Sequence, residues 1–135
     1  MRHLSLLLSV VLCLSSLIGC KKNKTDLAPS IIGKWELRKQ TGGIAGGETI
    51  YPSGNGTILE FSADIYTKYK NGQIIENGTY NIIKATSNQT GQLVDKLILN
   101  GQSVSQEFFI QIEETQFSFW YGGSDDIYTT YERTQ

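Results

Sequence analysis

Short runs of alternating apolar and polar residues, separated by turn residues, follow one another from residue 31 to the end of the chain. Apolar side chains at every second position are typical of β-strands, and runs spaced roughly 8 to 12 residues apart are typical of an all-β sandwich or barrel. No apolar run with helical periodicity follows residue 18. The pattern predicts eight strands, at residues 31–40, 57–62, 65–70, 78–85, 94–100, 104–112, 116–121 and 126–133.

Two dipeptides suited to left-handed backbone separate predicted strands. Asn71-Gly72 predicts a hairpin between the third and fourth strands, and Asn100-Gly101 predicts one between the fifth and sixth. Ala63-Asp64 joins the second and third strands. The predicted inward side chains are Trp35, Leu37, Leu59, Phe61, Ile65, Tyr69, Tyr80, Ile82, Leu97, Leu99, Phe108, Ile110, Ile112, Phe117, Phe119, Tyr121, Ile127 and Tyr131. The predicted outward side chains are Glu60, Lys68, Lys70, Asn81, Lys96, Gln111, Ser118 and Glu132.

Eight antiparallel strands with one apolar face can bury that face by closing on themselves, which also removes exposed sheet edges. We therefore predict an all-β fold, an eight-stranded antiparallel up-and-down β-barrel. In such a barrel the last strand lies antiparallel to the first, so Arg133 should lie at the same end as Trp35. A guanidinium over an indole contributes about 0.5 to 2 kcal/mol. The pair would then close the barrel.

These residues resemble a known family. Gly33-Lys34-Trp35 is similar to the Gly-x-Trp motif on the first strand of lipocalin-like proteins of the calycin group, and Arg133 to the arginine that packs over that tryptophan. Residues 57–62, 78–80 and 131–133 also resemble small lipocalin-like lipoproteins of Gram-negative bacteria. The resemblance implies a lipocalin-like barrel that binds a small molecule at its open end. The chain departs from it by its smaller domain, and by lacking both a helix after the last strand and a disulfide.

The first 20 residues have the organisation of a secretion signal. A basic start precedes an apolar run over residues 4–18, which is shorter than the roughly 20 residues of a membrane-spanning helix. Leu17-Ile18-Gly19-Cys20 resembles the lipobox of bacterial lipoproteins, which implies cleavage before Cys20 and its acylation. We therefore expect a signal peptide over residues 1–19, a lipidated cysteine and flexible tether over 20–30, and a barrel domain over 31–135. An ordinary signal peptide with an incidental Cys20 is the alternative.

The cysteines favour the lipoprotein interpretation. Cys13 lies within the predicted leader, so Cys20 has no partner for a disulfide in the mature chain. Acyl chains on Cys20 would make membrane lipid the first partner and give a stable anchor. In the lipoprotein sorting pattern that this resembles, Lys21 after the cysteine indicates the outer membrane. The face of that membrane is left open.

Charge and histidine content exclude several classes of function. Residues 31–135 carry eight Lys or Arg against twelve Asp or Glu, a net charge of −4, and form no basic stripe for nucleic acid. The only histidine, His3, lies in the leader, so the mature chain has no histidine for a catalytic triad or a zinc site. We expect no catalytic residues, no metal site and no cofactor, and hence a protein that is not an enzyme.

The interior of the barrel is the first candidate site. A barrel of eight strands is either filled by its own side chains or holds one small ligand, and the sequence leaves both open. The glycine-rich connection over residues 40–56 is either a lid over the mouth or a surface loop. For a small apolar ligand, the candidate binding residues are Tyr51, Phe61, Tyr69, Tyr80, Phe108, Phe119 and Tyr121.

The outer face supplies the alternative function. Phe109, Trp120 and Tyr128 fall on the outer face of the last three predicted strands, and a last hairpin loop of five residues would place Trp120 opposite Tyr128. Such a patch is a candidate docking surface for an envelope protein or a glycan. The same aromatics could instead only stabilise the sheet by cross-strand pairing.

Overall fold

The computed structural model describes residues 29–101, 105–123 and 125–134. These residues form nine strands in a single sheet, in which the first strand also pairs with the last. The strands are β1 (Gly33–Gly42), β2 (Gly47–Ile50), β3 (Thr57–Phe61), β4 (Ile65–Lys70), β5 (Gln73–Thr86), β6 (Leu93–Gly101), β7 (Ser105–Ile112), β8 (Gln116–Trp120) and β9 (Ile127–Arg133). The predicted signal peptide, Cys20 and the tether up to residue 28 lie outside the described residues.

Eight of the strands, β1 and β3 to β9, form a closed antiparallel barrel. Each strand pairs with the next one, and β9 returns to pair with β1 over the register Trp35 to Arg133 through Gly42 to Ile127. The predicted all-β barrel, its strand order and its closure are therefore confirmed. A bulge between Leu37 and Lys39 shifts this register by one residue.

The Asn71-Gly72 turn is as predicted. Asn71 has φ 51° and Gly72 has φ 78°, and the flanking residues Lys70 and Gln73 pair directly. Positive φ at both central residues is the requirement of a two-residue hairpin turn that matches the twist of its strands. The turn lets β5 begin at Gln73, five residues before the predicted start.

The connection between β1 and β3 contains a strand that the sequence pattern did not predict. Residues 47–50 pair with residues 39–42 as the hairpin β1–β2. The sequence of this strand is Gly-Glu-Thr-Ile and all four residues are exposed, so it carries no apolar alternation that a core would require. The first half of the glycine-rich connection is therefore an extension of the sheet and not an irregular loop.

The predicted faces of β4 are wrong. Tyr66 is fully buried, whereas Ile65 is 41% exposed. The register places Tyr66 opposite Phe61 and Lys68 opposite Leu59, so both share the inner face of β3. Ile65 and Tyr69 consequently lie on the outer face, and Lys68 points inward. Tyrosine and lysine have long apolar parts that can be buried while their polar tips find partners, which explains their inward positions.

The core fills one end of the barrel. Trp35, Phe61 and Phe117 are fully or almost fully buried there, and their rings pack at tilted or edge-on angles with centroids 5.7 to 5.9 Å apart. Ile31, in the segment that leads into β1, is also buried, and its carbonyl accepts a 2.7 Å hydrogen bond from the Trp35 indole N–H. The entering chain and the aromatic cluster therefore close this end.

Candidate ligand-binding site

A cavity of about 310 Å³ lies inside the barrel, beyond the closed end. Gln40 and Thr129 line the cavity and pair with each other between β1 and β9. This pair lies well away from the Trp35–Arg133 pair, which places the cavity away from the closed end. Its volume falls at the lower end of the range of small-molecule sites in proteins. The lining residues are Gln40, Leu59, Lys68, Leu97, Leu99, Phe108, Phe119, Tyr121, Ile127, Thr129 and Tyr131.

The walls of the cavity are mostly apolar. Leu59, Leu97, Leu99 and Phe108 are each less than 5% exposed. The Phe108 ring packs against Phe119, with ring centroids 4.5 Å apart. Aliphatic and aromatic walls of this kind bind apolar ligand atoms because the contact removes apolar surface from water.

Two exposed residues form part of the rim. Tyr121 is 62% exposed and Ile127 is 48% exposed, yet both line the cavity. Tyr121 also contacts Phe108 at 4.8 Å between ring centroids. The cavity therefore opens to solvent on the side of the β8–β9 connection.

Neutral polar groups cluster on one wall. The Tyr51 hydroxyl donates a 2.7 Å hydrogen bond to Gln40 Oε1, and Gln40 Nε2 donates to Thr129 Oγ1 at 3.4 Å. Burial, and secondarily the nearby Tyr51 hydroxyl, raise the pKa of Tyr131 to about 12. Tyr131 therefore stays uncharged at neutral pH, and these polar side chains can orient a ligand by hydrogen bonds.

Among the described residues that line the cavity, the charged one is Lys68. Its Nζ lies 2.8 Å from Glu76 Oε2, and the other carboxylate oxygen of Glu76 accepts a hydrogen bond from the Tyr66 hydroxyl. Burial acts to raise the pKa of Glu76, but the hydrogen bonds from Lys68 and Tyr66 outweigh it and hold that pKa below its ordinary value. Burial and the hydrogen bond to Glu76 raise the pKa of Tyr66. Glu76 therefore stays ionised at neutral pH and forms an ion pair with Lys68.

The structure brings together three of the seven predicted ligand-binding residues. Phe108, Phe119 and Tyr121 line the cavity. Tyr51 lies beside it through its hydrogen bond to Gln40. Sequence reasoning missed Lys68, because alternation placed it outside, and missed Glu76, because residues 71–77 were assigned to a turn.

The other three predicted residues lie elsewhere. Phe61 and Tyr80 pack against each other in the core, with ring centroids 4.9 Å apart, and the Tyr80 hydroxyl donates to the Ser62 carbonyl at 2.8 Å. Tyr69 is on the outer face, where its hydroxyl donates to Glu60 Oε2 at 2.9 Å. The prediction that Tyr69 lines the cavity is wrong because the inward and outward faces of β4 are the reverse of those predicted.

The second half of the glycine-rich connection is fixed to the outside of β1. The Glu36 carboxylate accepts hydrogen bonds from the backbone N–H groups of Gly54 at 3.1 Å and Gly56 at 3.3 Å. Arg38 pairs with Glu36 at 2.5 Å and donates to Ser53 Oγ at 3.1 Å. Ile44, at the turn of the β1–β2 hairpin, is 94% exposed. Tyr51 is therefore the part of this connection that approaches the cavity.

The predicted outer patch is partly covered by the protein itself. The rings of Trp120 and Tyr128 stack with centroids 5.4 Å apart, as the opposed positions required. Phe109, however, is only 5% exposed, and a Cβ on Gly122 would fall 2.5 Å from its ring. The Tyr128 hydroxyl donates at 2.8 Å to Gln89, from the β5–β6 connection. These aromatics therefore pack with neighbouring elements of the chain, which leaves a smaller surface for docking than the sequence suggested.

Within residues 29–101, 105–123 and 125–134, no group of three or more His, Cys, Asp or Glu side chains is placed to hold a metal ion. None of the same residues forms a helix long and apolar enough to cross a membrane.

Comparison with known proteins gave no relative. No protein-family model, no curated protein and no solved structure matches this chain.

Proposed function

We propose that this protein is a lipocalin-like binding protein that holds a small, largely apolar molecule inside its barrel. The observation that carries the proposal is the cavity of about 310 Å³, with apolar walls and a few polar groups at defined positions. This combination is characteristic of ligand sites, in which apolar area supplies affinity and sparse polar groups supply orientation. A barrel whose only role was stability would gain from filling such a space, because empty volume in a core is destabilising.

The proposal includes a place in the cell. Acylation of Cys20 would anchor the protein to the outer membrane of a Gram-negative envelope, and membrane lipid would be its first partner. Support comes from the lipobox-like residues 17–20 and from the following polar segment. The barrel begins only a short tether after this cysteine, so a folded binding domain would remain close to the membrane surface.

The outer-face alternative has less support. Docking of an envelope protein or a glycan would use Phe109, Trp120 and Tyr128, but Phe109 is buried and the Tyr128 hydroxyl already has a partner. A packed interior, which that alternative required, does not agree with the cavity. We therefore favour binding inside the barrel.

A neutral fluorescent probe tests the proposal directly. N-phenyl-1-naphthylamine should bind to the folded domain with a large rise in emission, because its rings fit an apolar cavity. Leu99→Trp should fill the cavity and lower the affinity at least tenfold. Ile83→Trp is the matched control, since Ile83 is 41% exposed and lies outside the cavity lining. Equal probe affinity in the wild type and both variants, all shown to be folded by circular dichroism, would contradict binding in the cavity.

A further inference from the structure

The barrel domain contains four asparagines that are each followed by glycine. They are Asn55-Gly56, Asn71-Gly72, Asn77-Gly78 and Asn100-Gly101. An asparagine in this context can lose its side-chain amide without an enzyme, because glycine has no Cβ to hinder its own backbone nitrogen. The four dipeptides are chemically alike, so their surroundings in the fold decide which of them reacts.

The reaction begins with attack of the glycine backbone nitrogen on Cγ of the asparagine. The N–Cγ bond forms and the Cγ–Nδ2 bond breaks, and the proton of the attacking nitrogen passes through water to Nδ2, which leaves as ammonia. The resulting succinimide takes up one water molecule at either of its carbonyl carbons and opens to aspartate or isoaspartate. A reactive site therefore needs a glycine N–H that is open to solvent and a backbone that can rotate.

Asn55-Gly56 lacks both requirements. The Asn55 Nδ2, which would leave, donates hydrogen bonds to the carbonyls of Leu37 and Pro52, each at 2.7 Å. The Gly56 N–H, which would attack, donates to Glu36 Oε1 at 3.3 Å. The leaving group and the attacking nitrogen are thus both held against the outside of β1.

The dipeptides Asn77-Gly78 and Asn100-Gly101 lie within strands. Gly78 pairs with Tyr66 on β4 and with Gly101 on β6, and Asn100 pairs on both sides, with β5 and with β7. Rotation of the backbone at either asparagine would break the pairing of these strands. Both dipeptides can therefore react only when the sheet opens locally.

Asn71-Gly72 differs from the other three in its surroundings. It forms the two-residue turn between β4 and β5, and both residues are exposed. Among the residues that the structure describes, none accepts a hydrogen bond from the Gly72 N–H, and none bonds to the Asn71 carboxamide. Nothing lies within 4 Å of the position that a Cβ on Gly72 would take. Water therefore reaches the attacking nitrogen in the folded protein.

The isoaspartate product would not fit this turn. Its main chain runs through the former side-chain carbon, so the turn becomes longer by one carbon atom. Lys70 and Gln73 pair directly across the present turn, which requires a connection of two residues with positive φ at both. A longer main chain would separate this pair and open the hairpin towards the irregularity between Lys68 and Tyr69.

We propose that Asn71 is a modification site, which converts spontaneously to aspartate and isoaspartate in the folded protein, and that isoaspartate opens the turn between β4 and β5. The proposal does not depend on binding in the cavity, because it rests on the surroundings of the four dipeptides alone.

Comparison of the folded and the unfolded full chain tests the site. Both are incubated at pH 8, the unfolded chain in guanidinium chloride, and peptide mapping by fragmentation mass spectrometry gives the rate at each asparagine. In the unfolded chain the four rates should be similar. In the folded chain Asn71 should react at least about tenfold faster than Asn55, Asn77 and Asn100, which wait for local opening. A folded-state rate at any of those three that equals the rate at Asn71 overturns the proposal. So does an unreacted Asn71 in folded protein after the unfolded chain has converted.

Variants separate the chemistry from the geometry of the turn. Asn71→Gly should abolish conversion at this position and keep the turn, because glycine also adopts positive φ. Asn77→Ser is the matched control on the same hairpin, and the rate at Asn71 should stay unchanged in it. A fall in the Asn71 rate to that of the strand dipeptides in Asn77→Ser would contradict an effect of local surroundings.

Hydrogen exchange tests the consequence for the hairpin. The isoaspartate form, separated from the unmodified protein by its charge, should exchange the amides of residues 70–73 about tenfold faster or more than the wild type. Asn71→Asp adds the charge without lengthening the main chain, so it should exchange at close to the wild-type rate. Equal exchange in the isoaspartate form and the wild type, or equally fast exchange in Asn71→Asp and the isoaspartate form, overturns the proposed opening of the turn.

Discussion

The guanidinium carbon of Arg133 lies 4.0 Å from the centroid of the Trp35 ring, although the two residues are separated by almost the whole barrel in sequence. The same guanidinium donates to the carbonyls of Ser30 at 2.7 Å and Ile32 at 2.8 Å, and its Nε donates to the Glu114 carbonyl at 3.0 Å. One side chain thus joins the entering chain, β1, β9 and the β7–β8 connection.

Removal of this contact should weaken the fold and spare the cavity. Arg133→Ala should lower the free energy of unfolding by about 1 to 3 kcal/mol, through the lost cation–π contact and the unpaired carbonyls. Trp35→Ala should lower it by about 3 to 5 kcal/mol, because Trp35 is fully buried. Urea unfolding measures both, and Lys34→Ala, at an exposed neighbouring position, is the control. A tenfold loss of probe affinity in folded Arg133→Ala would contradict a purely structural role.

Gly33 has a steric role in the same contact. It has φ 133°, and a Cβ at this position would lie 2.5 Å from Arg133 Nη1. We therefore expect Gly33→Ala to destabilise the protein by more than about 1 kcal/mol, through backbone strain and displacement of the guanidinium. Gly47→Ala is the matched control, because nothing lies within 4 Å of its Cβ position and its φ is not left-handed. Thermal unfolding should show a clear loss for Gly33→Ala alone.

The sequence predicted the inward face of a strand correctly where only one of its two faces is clearly apolar. Trp35 and Arg133 could be paired because the apolar face of β1 and that of β9 are unambiguous, and antiparallel order then places them at one end. For β4, with the sequence Ile65-Tyr66-Thr67-Lys68-Tyr69-Lys70, either face could point inward, since each contains an aromatic residue. The face with Tyr66 and Lys68 points inward because Glu76 binds both of these side chains.

The cavity itself depended on tertiary structure. Most of the predicted aromatic residues point inward, and Phe61 and Phe108 both belong to the core cluster, but of these two Phe108 alone lines the cavity. The position of an inward side chain along the barrel axis depends on the register of all the strands, including the bulge between Leu37 and Lys39. Alternation within one strand predicts only which face a side chain lies on, and not this position. The contact of the outer patch with Gln89 could not be predicted either, because Gln89 lies in a connection that is distant in sequence from Tyr128.

The outer aromatic residues should stabilise the domain through that connection. Tyr128→Phe removes the hydroxyl that donates to Gln89 Oε1, and Gln89→Ala removes the acceptor. Each change should lower the free energy of unfolding by about 0.5 to 1.5 kcal/mol. A double-mutant cycle on these two positions should show a coupling energy of about the same size. Additive effects of the two changes would show that the hydrogen bond contributes nothing to stability.

Acylation of Cys20 is open to a direct test. Cells grown with an alkyne-tagged palmitate analogue should label the wild-type protein, and Cys20→Ala should lose both the label and its presence in the membrane fraction. Cys13→Ala is the matched control, because Cys13 lies in the predicted leader and should leave labelling intact. Persistence of Cys20→Ala in the membrane fraction would show that the protein associates with membranes by another route.

The Glu36 carboxylate should make stability depend on pH. Burial acts to raise its pKa, but hydrogen bonds from the Gly54 N–H, from Arg38 and from the Gly56 N–H outweigh it, so the pKa in the folded state lies below the ordinary value of 4.5. A carboxylate with a lowered pKa stabilises the folded state fully above its unfolded pKa. That stabilisation is lost as the pH falls through the folded pKa.

Replacement of Glu36 by glutamine isolates this effect. Glu36→Gln should lower the free energy of unfolding by about 1 to 3 kcal/mol at pH 7, since Arg38 and two backbone N–H groups lose a charged acceptor. Urea unfolding at a series of pH values should show the difference between wild type and variant shrinking as the pH falls below about 4.5. Glu48→Gln is the control, because its pair with Lys39 at 3.2 Å is exposed and should contribute less than about 1 kcal/mol. A difference that stays constant down to pH 3 would mean that packing around the connection, and not the charge of Glu36, holds residues 52–56 against β1.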